Sequence, residues 1–392
     1  MIGAIILLNE EIDVFEDEDE GDLSNNNIEK YEEAVVWGTD WTVETIVSQL
    51  EKENIDLNPK FQRRDAWNMV EKSRLIESLM LGIPVPPIIL AEKKDKRGKY
   101  IVIDGKQRLL SLRQFSSKDE KFPAYKLKGL TLITNINGKT YQELDEDIEL
   151  SNFKVQLDNQ TIRTIVIKNW PDENFLFTVF LRLNTGSKKL SPQELRQALH
   201  PGGFLDYLDS RSGDSKIILN LFNTQKPDSR MRDVELALRY FAFKYCINIY
   251  NGNLKYFLDT TCEMLNGKWE NESEKIEYEF MQLEESIKFT QEIFGEKEAF
   301  SRFIAGKYNN KFNRPLFEVF TYYFSIVEVR NALNNKKKEF KEKFEKLCTE
   351  NVEFNESLSS TTKQVSRVKC RFDNIYIILK SMIQIEVPKI DL

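Results

Sequence analysis

Asp104, Gly105, Lys106, Gln107 and Arg108 stand where a buried strand should turn directly into a helix. Residues 100–103 are an apolar run of strand type, and the pattern from Gly105 to about Phe115 is helical. A helix start exposes free backbone N–H groups at the positive end of the dipole, which favours an anion. A glycine at that point lets a phosphate approach the backbone closely. Lys106 and Arg108 crowd the same end, where cations oppose the dipole unless something negative sits beside them. Local conflict of this kind is expected at functional sites. The chemistry it suggests is phosphoryl transfer. Asp104 would hold a metal or act as the base for an attacking water, Gln107 would position that water, and Arg108 would stabilise the charge that develops. The plainer alternative makes Asp104 a helix cap and Arg108 a surface residue.

Other segments repeat the theme. Residues 58–67 place Gln62, Arg63 and Arg64 before a helix, and Arg182, Asn184, Thr185 and Gly186 lie at a helix-to-loop break. Glu194 and Arg196 fall on the following helix. Trp67 reads as core rather than as a stacking platform for a base.

The ordered motifs Phe61-Gln-Arg63, Gly82-Ile-Pro-Val-Pro-Pro87, Val102-Ile-Asp-Gly-Lys-Gln-Arg-Leu109, Arg182-Leu-Asn-Thr-Gly186 and Leu190-Ser-Pro-Gln-Glu-Leu-Arg196 resemble the N-terminal domain of GmrSD-type, modification-dependent restriction proteins. The resemblance spans roughly residues 36–200, and that domain is similar to the ParB/sulfiredoxin-like fold. It implies nucleotide binding and hydrolysis tied to defence against phage DNA, often with modified bases. The family's Asp-Gly-Gln-Gln-Arg motif falls on Asp104, Gly105, Lys106, Gln107 and Arg108, with Lys106 in place of the first Gln. Lysine keeps the reach and adds a charge that can contact phosphate. On this resemblance Asp104, Gln107 and Arg108 are the expected catalytic residues. Gln62, Arg63, Gly105, Lys106, Arg182, Asn184 and Thr185 are the expected phosphate- or nucleotide-binding residues. Mg2+ is the candidate cofactor, with a nucleoside triphosphate as substrate or ligand, and no protein metal-ligand set is assigned.

Many relatives carry a C-terminal HNH nuclease domain, whose chemistry needs a catalytic histidine and further ligands. The single histidine here, His200, closes the first domain. The C-terminal half therefore reads as a sensing, docking or oligomerising domain, with DNA cleavage left to the first domain or to a nuclease partner subunit. The expected function is that of a nucleotide-binding, NTP-hydrolysing protein of a prokaryotic phage-defence or restriction system. The alternatives are a non-hydrolysing nucleotide- or DNA-binding specificity subunit and a metal-dependent DNA nickase. Expected partners are a nucleoside triphosphate, DNA including modified phage DNA, a nuclease subunit and further copies of the chain.

Bulk composition narrows the classes. The net charge is −7, and setting aside nine acids between Glu10 and Asp22 brings it to +2. The remainder is thus close to neutral and argues neither for nor against nucleic acid. One histidine and four scattered cysteines, Cys246, Cys262, Cys348 and Cys370, exclude a His-rich zinc site and a His–Cys–Cys deaminase centre. Such cysteine usage fits reduced thiols and a cytoplasmic location, with no disulfide framework. Residues 1–8 are apolar but too short to span a bilayer, and are expected to form a strand; no membrane role is expected.

The elements that must hold the site follow from periodicity and stop signals. Thr42 caps a helix to Leu50, residues 67–81 form a second helix, and Gly82 with Pro84, Pro86 and Pro87 forces extended chain. Residues 88–91 and 100–103 make a hairpin. Residues 122–170 are expected to be β-rich, with strands at 130–134 and 161–167 and a turn at Asn137-Gly138. Residues 172–183 are helical, and Ser191-Pro-Gln-Glu194 has the form of a capping box. Beyond Asp233 the pattern is mainly helical, including one charged helix over 331–346. The expected class is α+β: an acidic segment 1–34, a ParB/sulfiredoxin-like domain 35–200 and a mainly α-helical domain 201–392.

Overall fold

Alternation along three strands assigns each apolar side chain to one face of a small sheet. The computed structural model describes residues 34–57, 67–117, 120–183 and 191–392. In chain order the first unit contains β1 (Val35–Thr42), α1 (Val43–Glu51), α2 (Met69–Met80), β2 (Ile88–Glu92), β3 (Tyr100–Asp104) and α3 (Lys106–Phe115). It continues through α4 (Tyr141–Glu146), α5 (Ser151–Asn159), β4 (Thr161–Lys168), α6 (Glu173–Leu183) and α7 (Pro192–Leu199). The sheet order is β1-β4-β2-β3, antiparallel except for the parallel β2–β4 pair. Ile88, Leu90, Val102 and Ile162 point to a core shared with α1, α2 and α3. Ile89, Ala91, Ile101, Ile103 and Ile167 point to a second core, closed by Phe175, Leu176, Phe177 and Phe180 of α6 and Leu195 of α7. The period of two thus covers both faces with helices, and the arrangement is α+β.

Helix starts follow their caps. The Thr42 hydroxyl accepts the Thr45 N–H, and Asn68 and Glu71 form a reciprocal box at the start of α2, each worth about 1 kcal/mol. α2 therefore begins at Met69, with Trp67 before it, half-buried against the first core.

The β-rich expectation for 122–170 is corrected. Only β4 is a strand there among the described residues, and α4 and α5 are helices. Residues 130–134 do not form a strand because buried Glu77 takes their backbone donors: its Oε1 accepts N–H groups from Thr131, Leu132 and Ile133 at 3.0, 2.6 and 2.8 Å. The start of α4 carries a Thr140–Glu143 capping box, a signal the sequence reading passed over. β1 was missed as well. It lies at the sheet edge with Val35, Val36 and Trp37 exposed, so it shows no alternation to read.

The second unit comprises Gly202–Gln225 and Asp233–Leu392, while Lys226–Arg232 groups with the first. Its helices are α8 (Gly203–Asp214), α9 (Lys216–Leu221), α10 (Arg232–Cys246) and the 41-residue α11 (Leu254–Phe294). After a hairpin of β5 (Ser301–Ile304) and β6 (Lys307–Phe312) come α12 (Arg314–Phe324), α13 (Val327–Leu333), α14 (Lys337–Glu350), α15 (Val352–Ser357) and α16 (Val365–Met382). The single charged helix expected over 331–346 is instead two helices joined by a 3-10 turn at Asn334–Lys336. A buried ionic network ties α10, α12 and α16: Arg239 donates to Glu235 and to Glu318, and Arg371 donates to Glu318. Arg239, Glu318 and Arg371 border a cavity of about 10 Å³, the size of one water.

Among the described residues no helix is long and apolar enough to cross a membrane. The acidic segment and the strand expected at residues 1–8 lie outside the described residues.

Candidate functional site

β3 ends at Asp104 and α3 begins at Lys106, with Gly105 between them at φ +98°. Only glycine adopts that backbone without strain. A Cβ at 105 would lie 3.2 Å from the Arg108 guanidinium and 3.2 Å from Ile88 Cγ1. The glycine thus permits both the left-handed turn and the close approach of Arg108.

Gly105 itself is the helix cap, with no side-chain cap hydrogen bond and no acid in the first turn. The reading of Asp104 as a capping residue is therefore not what the fold shows. Asp104 turns to Arg108: its Oδ2 accepts from the guanidinium at 2.7 Å, and the same nitrogen donates to the Pro87 carbonyl at 3.1 Å. The Asp104 side chain is 36 % exposed and that of Arg108 13 %. The pair is therefore partly open to solvent, with the Pro87 carbonyl fixing the guanidinium from the other side of the turn. Pro87 was not anticipated as a participant, since a carbonyl acceptor leaves no mark on the sequence.

Lys106 points to the other side of the sheet end. Its Nζ lies 2.6 Å from Glu194 Oε1 of α7, and both side chains are buried. Glu194 also closes the α7 capping box with Ser191. The two cations that oppose the α3 dipole are thus each matched by a protein carboxylate, Asp104 or Glu194. The first N–H groups of α3 have no intrahelical acceptor.

Gln107 Oε1 and Arg108 Nε are shut off from solvent and meet no hydrogen-bond partner among the described residues. The same holds for Gln193 Nε2 and Gln197 Oε1 on α7. Orphaned buried polar atoms are uncommon in folded proteins, and bound water or ligand is a usual reason for them.

Residues 43–201 match the family described as GmrSD restriction endonuclease, N-terminal domain. This segment is a GmrSD-type N-terminal domain. The match runs from the first residue of α1 to Pro201, where the first unit's long segment ends, so the turn at Asp104 and its α7 partner both lie inside it. The family's description points to a restriction or phage-defence system. No curated protein matches the chain.

Within the GmrSD-type domain the structure brings Asp104, Gly105, Lys106, Gln107 and Arg108 to one strand-to-helix turn. Arg182 is exposed on the last turn of α6. Gln62, Arg63, Asn184 and Thr185 lie outside the described residues. His200, the sole histidine, sits 3.2 Å from the Glu173 carboxylate at the end of α7.

Proposed function

We propose that the Asp104–Arg108 turn of this GmrSD-type domain, with a ParB/sulfiredoxin-like arrangement, binds a nucleoside triphosphate and hydrolyses it within a restriction system. The observation that carries the reading is the uncapped start of α3 behind a left-handed glycine, with Arg108 reaching back over it to Asp104. Backbone N–H groups at a helix start receive phosphate oxygens. Arg108 meets the same anion with a guanidinium already oriented by Asp104 and Pro87, which reduces the ordering needed on binding. Gln107, with a buried acceptor awaiting a donor, suits a water beside the phosphates. Arg182 is carried as a further phosphate contact, as are Gln62, Arg63, Asn184 and Thr185 on the motif alone.

The donor set fits Mg2+, which is commonly held by one or two carboxylates together with substrate phosphates. Asp104 would hold it, and it would neutralise charge on the phosphates. The alternative role for Asp104 is as the base that orients the attacking water and takes its proton, once a phosphate has drawn Arg108 away.

A second reading has its own observation. Asp104 is already engaged by Arg108 at 2.7 Å, and a carboxylate kept in that pair serves binding without turnover. The chain would then be a specificity subunit for nucleotide or DNA. Phosphate release from ATP, GTP, CTP and UTP with Mg2+ separates the two. Hydrolysis abolished by Asp104→Ala supports the first reading. Nucleotide binding with no release in the wild type supports the second. DNA nicking with Mg2+ and no added nucleotide would favour a nickase over both.

A further inference from the structure

We infer that Glu194 is a positioning residue of this turn: it holds Lys106 away from incoming phosphates, so that Arg108 is the cation of the turn that a nucleotide meets. The inference rests on the nucleotide reading of the site.

Lys106 opens α3, where an ammonium would ordinarily be drawn to any bound anion. Instead its Nζ is 2.6 Å from Glu194 Oε1, with side chains 7 % and 5 % exposed. The second oxygen of that carboxylate accepts the Ser191 N–H at 2.8 Å. The Ser191 hydroxyl accepts the Glu194 N–H at 3.1 Å and donates to the Arg230 carbonyl at 2.5 Å. Glu194 is therefore fixed at both oxygens and through its own backbone. One polar line runs from the turn, through the start of α7, to segment 226–232.

The neighbouring pair is arranged differently. Asp104 is 36 % exposed and its partner Arg108 13 %. An anion arriving from solvent displaces Asp104 from Arg108 at a partly wet rim, where ion pairs are weak. To reach Lys106 it would have to break a dry pair and leave Glu194 buried with an uncompensated charge, which is strongly unfavourable. Lysine at 106 thus adds a tie between α3 and α7 rather than a phosphate ligand. Glu194 is the residue that makes this so.

The test uses the full chain with Glu194→Gln, Lys106→Gln and the double variant, read by thermal unfolding with and without each of ATP, GTP, CTP and UTP plus Mg2+. Glu194→Gln should lower the unfolding temperature of its domain by on the order of 10 °C, because a buried ammonium loses its counter-ion. The nucleotide-induced rise in that temperature should be larger than in the wild type, because the ammonium no longer held by Glu194 turns to the phosphates. The double variant should recover most of the unfolding temperature and lose the enlarged nucleotide effect. A merely structural Glu194 would leave the nucleotide-induced rise at its wild-type size, and that result overturns the inference. A loss of nucleotide affinity of tenfold or more in Lys106→Gln alone also overturns it, by making Lys106 a phosphate ligand. If the wild type shows no rise with any nucleotide, the nucleotide reading fails and this role falls with it. If the wild type responds and Glu194→Gln shows no enlargement, only the positioning role fails.

Discussion

Arg108 reaches back one helical turn to Asp104, closing a 2.7 Å ion pair across the glycine at which strand becomes helix. The pair and the glycine depend on each other, because the guanidinium occupies the space a Cβ at 105 would need. Gly105→Ala should therefore cost about 1–2 kcal/mol from the left-handed backbone alone, and more from displacing Arg108. Urea unfolding measures the first effect. A parallel loss of nucleotide affinity, with Arg108 still present, measures the second.

Glu77 offers a test of the fold that is independent of the site. One of its carboxylate oxygens accepts three successive backbone N–H groups, from Thr131 to Ile133. Hydrogen bonds to a buried charge contribute about 1.5–3 kcal/mol each at most, and they are not additive. Glu77→Ala should destabilise the first unit by about 3–5 kcal/mol, with amide exchange accelerated first at residues 131–133. Exchange that stays slow there would contradict the assigned role.

In the helical unit, Glu318 lies between Arg239 and Arg371, and all three are buried. Removing one partner of a buried pair typically costs about 3–5 kcal/mol. Glu318→Ala takes one carboxylate from both guanidinium groups, leaving Arg239 with Glu235 and Arg371 with the Ser357 and Thr362 carbonyls, and should fall within that range. Glu318→Gln, which keeps the acceptor oxygen, should recover part of the loss in the same denaturant titration.

Alkaline pH should weaken both units. Burial pushes the Tyr141 hydroxyl up to about 12, assisted by the Asp158 carboxylate to which it donates. Burial likewise lifts the Cys348 thiol to about 12. The ordinary values are 10.0 and 9.0. A group whose value is raised by folding stabilises the fold below its unfolded value and loses that contribution as pH climbs through the folded one. Stability should thus decline across pH 9 to 12. Tyr141→Phe should make the decline of the first unit shallower, and an unaltered slope would count against the assignment.

The turn was legible because strand alternation, a glycine and a basic helix start are all local signals, and Ser191 and Glu194 announce α7 in the same way. What escaped was set by distant partners. Residues 130–134 have the composition of a strand, yet their donors go to Glu77, more than fifty positions earlier. β1 packs at an edge with three exposed apolar residues, so it lacks the alternation that marks its neighbours. The conflict of cations with the α3 dipole was visible in the sequence. That two carboxylates answer it was not, because Glu194 is 88 positions from Lys106.

The central claim is that the Asp104–Arg108 turn receives a nucleotide's phosphates. Calorimetric titration of the wild type and of Arg108→Ala with each of the four ribonucleoside triphosphates and Mg2+ tests it without requiring turnover. The account predicts binding of at least one nucleotide by the wild type and a loss of tenfold or more in Arg108→Ala, with the fold intact by circular dichroism. Equal affinity in the two proteins, or no binding by the wild type, would contradict it.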